Sequence, residues 1–174
     1  MITIVSGTNR PNSVTKKIAL HYQAVLQSKN IETDLIDLMD LPNDFTESAL
    51  YDNQGKNEQF NVLQKQVNNT QKFLFVIPEY NGSFPGVVKA FLDGLKFPNS
   101  LKGKKCGIVG VSSGVQGGLL AMSHLTDIFN YLGMHVLSNK PKLMKVESLM
   151  VNDELVDESS KRRINQQADD LIGF

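Results

Sequence analysis

Strand signals and helix signals alternate along this chain, and this alternation limits the folds that it can form. Short apolar runs, most of them rich in β-branched residues, predict five strands at residues 2–6, 33–38, 72–77, 104–111 and 134–137. Apolar residues at helical spacing predict five helices at residues 13–30, 58–69, 85–95, 118–132 and 158–172. Strands separated by helices of this size form βαβ units. The pattern therefore predicts an α/β fold with one doubly wound, five-stranded parallel sheet and helices on both of its faces.

The whole chain, residues 1–174, is predicted to be a single domain. A length of 174 residues suits one domain with a substantial buried core. No linker, internal repeat or low-complexity tract interrupts the alternating pattern. Segment 40–56 contains proline, asparagine and glycine but few apolar residues, which predicts a long loop.

The charge of the chain argues against two classes of partner. Lysine and arginine together number 18, as do aspartate and glutamate, so the formal net charge is zero. Nucleic acids and anionic membranes attract a basic excess, and neither is an expected partner. Met1 leads directly into an apolar strand without the features of a secretory signal, so a cytoplasmic location is expected. Cys106, the single cysteine, is predicted to be a buried core residue.

Three loops of the predicted sheet concentrate glycine, serine and asparagine. In open sheets of this class, ligands bind outside the carboxyl ends of the strands, where the strand order reverses. In the flavodoxin-like order 2-1-3-4-5, strands 1 and 3 flank that point, and strand 4 is next to them. The loops after these strands are residues 7–15 (the first loop), 78–86 (the second loop) and 112–118 (the third loop). The loops after strands 2 and 5 lack this composition, so the ligand site is expected where the first three meet.

The first loop has the composition of a phosphate site. It leads into a helix N-terminus, where free backbone N–H groups and the helix dipole favour an anion. Thr8, Ser13 and Thr15 supply hydroxyl groups, and Arg10 supplies a charged fork. The alternative is simple helix capping by Asn12 or Ser13, with Arg10 in solvent.

The second loop offers groups suited to a planar ring. Tyr80 provides a flat face, and the backbone of Asn81 and Gly82 provides polar groups for the edge of a ring. The alternative is an ordinary strand-to-helix turn in which Pro85 begins the helix.

The third loop contains Gly114, Gly117 and Gly118 and leads into another helix. Glycine permits positive φ and close approach of the backbone to a ligand. Backbone N–H groups here could stabilise negative charge on a ligand ring, and the alternative is a plain tight turn.

Together these loops resemble the NADPH-dependent FMN reductase family, whose members include flavin, quinone, chromate and azo-dye reductases. The family's Gly-Ser-x-Arg-x-x-Ser loop is matched at residues 7–13, with Thr8 in place of the first serine. Its Pro-Glu-Tyr-Asn-x-Ser-x-Pro-Gly-x-x-Lys stretch is matched from Pro78 to Lys89. Its glycine-rich loop after strand 4 is matched by Ser113, Gly114, Gly117 and Gly118.

The resemblance implies that the chain holds FMN. It implies phosphate contacts from the first loop, ring contacts from residues 78–82, and contacts with the other edge of the ring from residues 113–117. The expected cofactor-binding residues are Thr8, Arg10, Asn12, Ser13, Val14, Thr15, Pro78, Glu79, Tyr80, Asn81, Gly82, Ser113, Gly114, Gln116 and Gly117. The resemblance also implies a homodimer or homotetramer, and the many apolar residues over 84–97 favour a subunit contact there.

Two functions are open at this point. One is an FMN-dependent oxidoreductase that takes hydride from NADPH or NADH and reduces a flavin, quinone, azo dye or chromate by a ping-pong scheme. The other is a flavodoxin-type electron carrier without nicotinamide turnover, although such carriers tend to be acidic and this chain is neutral. Flavin chemistry needs no side-chain nucleophile, so no catalytic residue is predicted. His21, His124 and His135 lack ligand spacing, so no metal site is predicted.

Overall fold

A computed structural model describes residues 1–98 and 100–174 and contains the predicted parallel sheet. The five strands of its main path lie in the order β2-β1-β3-β4-β5, and every neighbouring pair is parallel. They are β1 (Ile2–Ser6), β2 (Thr33–Asp37), β3 (Lys72–Pro78), β4 (Lys105–Val111) and β5 (His135–Val136). The predicted order 2-1-3-4-5 is confirmed, and the reversal point lies between β1 and β3.

Helices cover both faces of the sheet, as predicted. They are α1 (Val14–Ser28), α2 (Phe45–Ser48), α3 (Glu58–Asn69), α4 (Gly86–Gly94), α5 (Leu119–Tyr131) and α6 (Glu158–Gly173). Successive side chains of a strand point to opposite faces, so Phe73 and Phe75 pack with α3, α4 and α5, whereas Leu74 and Val76 pack with α1 and α6. Two apolar cores, one on each face of the sheet, hold the domain together.

The fifth position of the sheet differs from the predicted continuous strand at residues 134–137. β5 contains only two residues, and a further two-residue strand, β6 (Lys142–Leu143), pairs with the other end of β4. Between β5 and β6 the chain moves away from β4. Pro141 in this segment has no N–H group to donate to a neighbouring strand.

Gln167 of α6 fills the gap between β5 and β6. Its Nε2 donates to the carbonyl oxygens of Ile108 (2.9 Å) and Asn139 (2.8 Å), and its Oε1 accepts from the Tyr22 hydroxyl (2.7 Å). Gln167 and Tyr22 are fully buried. The side chain thus replaces the missing strand partner of β4 and joins α1, α6 and the sheet.

Segment 40–56, predicted to be a long loop, contains regular structure. It forms α2 and a 3₁₀ turn at Tyr51–Asn53, and a further 3₁₀ turn at Leu38–Asp40 precedes it. Its few apolar residues anchor it, because Phe45 and Leu50 are buried and the Phe45 ring stacks on that of Phe60 at 6.0 Å. The local pattern was too sparse to predict a helix, and the contact with α3 supplies the missing stabilisation.

A small antiparallel hairpin before α6 was also not predicted. It consists of β7 (Met150–Val151) and β8 (Glu154–Leu155), and a 3₁₀ helix at Val146–Leu149 precedes it. Strands of two residues leave too little alternation to be recognised in a sequence.

Cys106 lies inside the core, as predicted. Its side chain is fully buried, and burial raises the pKa of its thiol to about 12. It is therefore a protonated packing residue at neutral pH. Within the described ranges, no helix has the length and apolar composition needed to cross a membrane, and no group of three or more His, Cys, Asp or Glu side chains is arranged to hold a metal ion.

Candidate functional site

A cavity of about 400 Å³ lies at the carboxyl ends of β1, β3 and β4. Its volume is within the range usual for small-molecule sites. All three predicted loops contribute to its wall. The lining residues are Arg10, Pro11, Asn12, Ser13, Val14, Thr15, Pro78, Glu79, Tyr80, Val111, Ser112, Ser113, Val146 and Glu147. The fold thus brings together the loops that the sequence singled out, at the predicted reversal point of the sheet.

The first loop presents a helix N-terminus to this cavity. Ser13 is the N-cap of α1, and its Oγ accepts a hydrogen bond from the Lys16 backbone N–H (3.2 Å). The N–H groups of Val14 and Thr15 have no acceptor within the helix. Asn12 does not cap the helix; it adopts the left-handed conformation (φ 52°) that turns the chain into α1. Capping by Ser13 is compatible with a phosphate site, because a capping hydroxyl still has a proton to donate.

Arg10 lines the same end of the cavity and is exposed. Among the residues that the structure describes, none forms an ion pair with its guanidinium within 4 Å. The guanidinium donors, the helix N–H groups and the hydroxyls of Ser13 and Thr15 form a donor set that fits a phosphate.

Thr8 has a different position from its neighbours in the first loop. It is fully buried and does not line the cavity. Its Oγ1 lies 2.8 Å from the Tyr80 hydroxyl oxygen and accepts from the Arg10 backbone N–H at 3.2 Å. Thr8 therefore joins the first loop to the second.

The second loop contains a tight two-residue turn. Tyr80 and Ser83 exchange backbone hydrogen bonds of 2.8 and 3.1 Å, and Asn81 (φ 52°) and Gly82 (φ 74°) both have positive φ. Positive φ at both central residues defines a type I′ turn, for which Asn-Gly is the preferred pair. Ser83 Oγ lies 2.9 Å from His124 Nδ1, which attaches the turn to α5. Asn81 and Gly82 thus form the tip of the turn and do not line the cavity.

Glu79 occupies the wall between the second and third loops. Its backbone N–H donates to the Val111 carbonyl at 3.1 Å, which fixes the loop to the end of β4. Its Oε2 is buried and has no hydrogen-bond partner in the described part of the chain. A buried carboxylate oxygen without a partner is costly, and a polar group on a ligand would satisfy it.

Two glycines of the third loop, Gly117 and Gly118, are explained by the packing of the chain on itself. A Cβ on Gly118 (φ 76°) would lie 2.8 Å from the Gly110 Cα, and a Cβ on Gly110 would lie 2.2 Å from the Gly117 carbonyl oxygen. These glycines let the loop fold back against β4. Of the predicted residues in this loop, Ser113 lines the cavity, whereas Gly114, Gln116 and Gly117 do not.

Five residues that line the cavity were not in the predicted set, namely Pro11, Val111, Ser112, Val146 and Glu147. Ser113 Oγ donates to Glu147 Oε1 at 2.5 Å, so Glu147 faces the third loop directly. Val146 and Glu147 reach the cavity because β6 pairs with β4. No local sequence pattern predicts that pairing.

Comparison with known proteins identifies the family. A family model described as NADPH-dependent FMN reductase matches residues 1–144 of the 174. The chain belongs to this family. The resemblance inferred from the three loops is therefore confirmed. The predicted function as an oxidoreductase that uses FMN and NAD(P)H is confirmed with it.

Individual relatives of this family member are named as quinone and FMN reductases. The chain is 36% identical over 145 residues to a 2-hydroxy-1,4-benzoquinone reductase from Burkholderia sp, covering 82% of this chain and 76% of that one. It is 33% identical over 110 residues to an NAD(P)H-dependent FMN reductase of Pseudomonas aeruginosa, covering 60% and 59%. The flavoenzyme FerB, an NAD(P)H:(acceptor) oxidoreductase from Paracoccus denitrificans, superposes with a TM-score of 0.79 at 24% identity, over 99% of this chain and 94% of that one. This last likeness shows the fold.

Proposed function

We propose that this FMN reductase family member holds FMN in the three-loop cavity and reduces small acceptors, namely a flavin, a quinone, an azo dye or chromate. The observation that carries the proposal is the joining of a phosphate-type donor set and an aromatic wall in one cavity of about 400 Å³. Arg10 and Tyr80 lie in the same wall, although 70 residues of sequence separate them.

Each end of the cavity has a separate role in the proposal. Arg10, Ser13, Thr15 and the N–H groups that begin α1 hold the phosphate. Pro78, Glu79, Tyr80 and Ser113 border the isoalloxazine ring, and Thr8 orients Tyr80 through its hydroxyl. Bound FMN supplies the chemistry, accepting hydride from the nicotinamide and passing two electrons to the acceptor. The protein binds and orients the cofactor, so no side-chain nucleophile or base is assigned.

Two observations support the proposed acceptor and the place where it binds. A 2-hydroxy-1,4-benzoquinone reductase is among the relatives, which favours a quinone. The three loops are all engaged with one FMN in this proposal, and no second nucleotide motif such as Gly-x-Gly-x-x-Gly follows β1. Nicotinamide and acceptor therefore use one open face in turn.

Alternation at one face predicts ping-pong kinetics. Initial rates measured with NADPH and a benzoquinone varied together are expected to give parallel double-reciprocal lines. Intersecting lines would mean that both substrates bind at once, and the single-face arrangement would then be wrong. If neither NADPH nor NADH is consumed, the electron-carrier function replaces the enzyme.

We further propose that the protein is a homodimer or a homotetramer. A larger, mainly apolar cavity of about 630 Å³ lies between α4 and α5, and the aromatic side chains of Tyr51, Phe97 and Tyr131 around it are 83%, 68% and 82% exposed. Exposed apolar surface of this kind marks interaction sites. Sedimentation is expected to show a dimer or tetramer at micromolar concentration, and a monomer would contradict the proposal.

A single domain over 1–174 and a cytoplasmic location stay predictions.

A further inference from the structure

We propose that Asn81 is a modification site at which the folded protein deamidates spontaneously. The inference is carried by the turn at residues 80–83 and does not depend on a bound ligand. Asn81-Gly82 is the only Asn-Gly pair in the sequence. It forms the tip of the type I′ turn in the second loop, where Tyr80 and Ser83 pair as a short antiparallel bridge.

The reaction joins two neighbouring groups of the same chain. The backbone nitrogen of Gly82 attacks Cγ of the Asn81 side chain, a C–N bond forms, and the side-chain nitrogen leaves as ammonia. Water then opens the resulting five-membered imide at either of its two carbonyl groups. One product is aspartate, and the other is isoaspartate, in which the main chain runs through the former side chain. Water is the only co-reactant, and nothing is oxidised or reduced.

Both reacting groups are accessible in the folded chain. Asn81 is exposed, and the N–H of Gly82 donates to no backbone carbonyl among the described residues, so solvent can remove its proton. Glycine has no side chain to shield that nitrogen from the carboxamide. The nearest heavy atom to a Cβ built on Gly82 is Leu120 Cδ1, at 3.8 Å. Packing therefore does not enclose this side of the turn.

A second turn of the same type lacks the glycine. In the β7–β8 hairpin, Asn152 (φ 47°) and Asp153 (φ 68°) lie between the paired residues Val151 and Glu154, and both are exposed. Asn152 therefore matches Asn81 in turn type, in position within the turn and in exposure. The two differ in the residue that follows, because the side chain of Asp153 hinders attack by its own backbone nitrogen. The comparison predicts that Asn81 is modified much faster than Asn152.

Modification also reaches the proposed FMN site, and this step alone rests on the proposed function. Tyr80 and Ser83 exchange backbone hydrogen bonds of 2.8 and 3.1 Å around a two-residue tip. Isoaspartate adds an atom to the main chain of that tip, so this pairing cannot form unchanged. Tyr80 lines the cavity, and its hydroxyl oxygen lies 2.8 Å from Thr8 Oγ1. Deamidated protein is therefore expected to bind FMN severalfold more weakly than fresh protein.

The test follows both asparagines in one sample of wild-type protein kept warm at mildly alkaline pH. Brief digestion with trypsin releases residues 73–89 and 146–161, in which Asn81 and Asn152 are the only amide side chains. Mass spectrometry is expected to show the mass gain of one deamidation in the first peptide and none in the second. The isolated 73–89 peptide, incubated alongside, gives the rate without the fold.

Reciprocal substitutions are the matched controls. Gly82→Asp copies the Asn-Asp tip that the hairpin already accommodates, so Asn81 is expected to stay unmodified. Asp153→Gly places the Asn-Gly pair in the hairpin and removes only a surface ion pair with Lys17, so Asn152 is expected to become modified. Equal modification of Asn81 and Asn152 in the wild type, or none at Asn81 while the isolated peptide reacts, would overturn the inference.

The effect on the site is measured separately. Ion exchange separates deamidated from fresh protein, because each product carries an added negative charge, and fluorescence quenching measures FMN binding to both. Equal affinities would overturn the predicted effect on the site. Absence of FMN binding to fresh wild type would instead overturn the proposed function and leave the peptide result standing, so the failures are distinguishable.

Discussion

Arg10→Ala is expected to weaken FMN binding about tenfold to hundredfold and to leave the fold intact. A hydrogen bond to a charged group contributes roughly 1.5–3 kcal/mol, and each 1.4 kcal/mol corresponds to about tenfold in affinity. The side chain is exposed and makes no ion pair among the described residues, so its removal costs the fold little. Flavin fluorescence quenching measures the affinity, and circular dichroism checks the fold.

Two controls make this result specific. Arg10→Lys keeps the charge but loses the two-pronged geometry, so an intermediate affinity is expected. Arg162→Ala removes an exposed arginine of α6 that does not line the cavity, and FMN affinity is expected to stay at the wild-type value. Unchanged FMN affinity in Arg10→Ala would show that the guanidinium lies in solvent and does not bind the phosphate. That result would favour the alternative in which the first loop only caps the helix.

Gln167→Leu is expected to lower the free energy of unfolding by roughly 2–4 kcal/mol, the second large effect. Leucine has a similar volume, so the loss comes from hydrogen bonds. The Tyr22 hydroxyl and the Ile108 carbonyl lose their partner inside the core, and an unsatisfied buried group costs about 1–3 kcal/mol. Urea denaturation of flavin-free protein measures the change.

The neighbouring glutamine provides the matched control for Gln167. Gln166 lies one position away on α6, is exposed, and donates to the carboxylate of Asp170 within the same helix. Gln166→Leu is expected to change stability by less than about 0.5 kcal/mol. Equal effects of the two substitutions would show that Gln167 does not stabilise β4 in the way described.

Local patterns were enough to predict most of the fold. The alternation of Phe73, Leu74, Phe75 and Val76 between two apolar cores is what a strand buried on both faces requires, and it is visible within a few residues of sequence. Features that depend on distant contacts were not predictable in this way. Gln167 has no local signal, because its partners are 28 to 145 residues away.

The site also contains features that the sequence predicts locally and features that depend on distant contacts. The first loop is a local feature, since its donors lie within a few residues of the start of α1, and its position at the cavity follows from the strand order. Glu147 enters the cavity only because β6 pairs with β4. The third-loop glycines were interpreted as permitting close approach to a ligand, whereas at Gly117 and Gly118 the group that approaches closely is the chain itself.

In the proposed function, FMN in the three-loop cavity accepts hydride from a nicotinamide. The most direct measurement is the yellow absorbance of FMN-loaded protein, followed without oxygen as NADPH or NADH is added. Rapid bleaching with at least one nicotinamide, and recovery of the colour when a benzoquinone follows, is the predicted result. Protein that binds FMN but stays yellow with both nicotinamides would contradict the account.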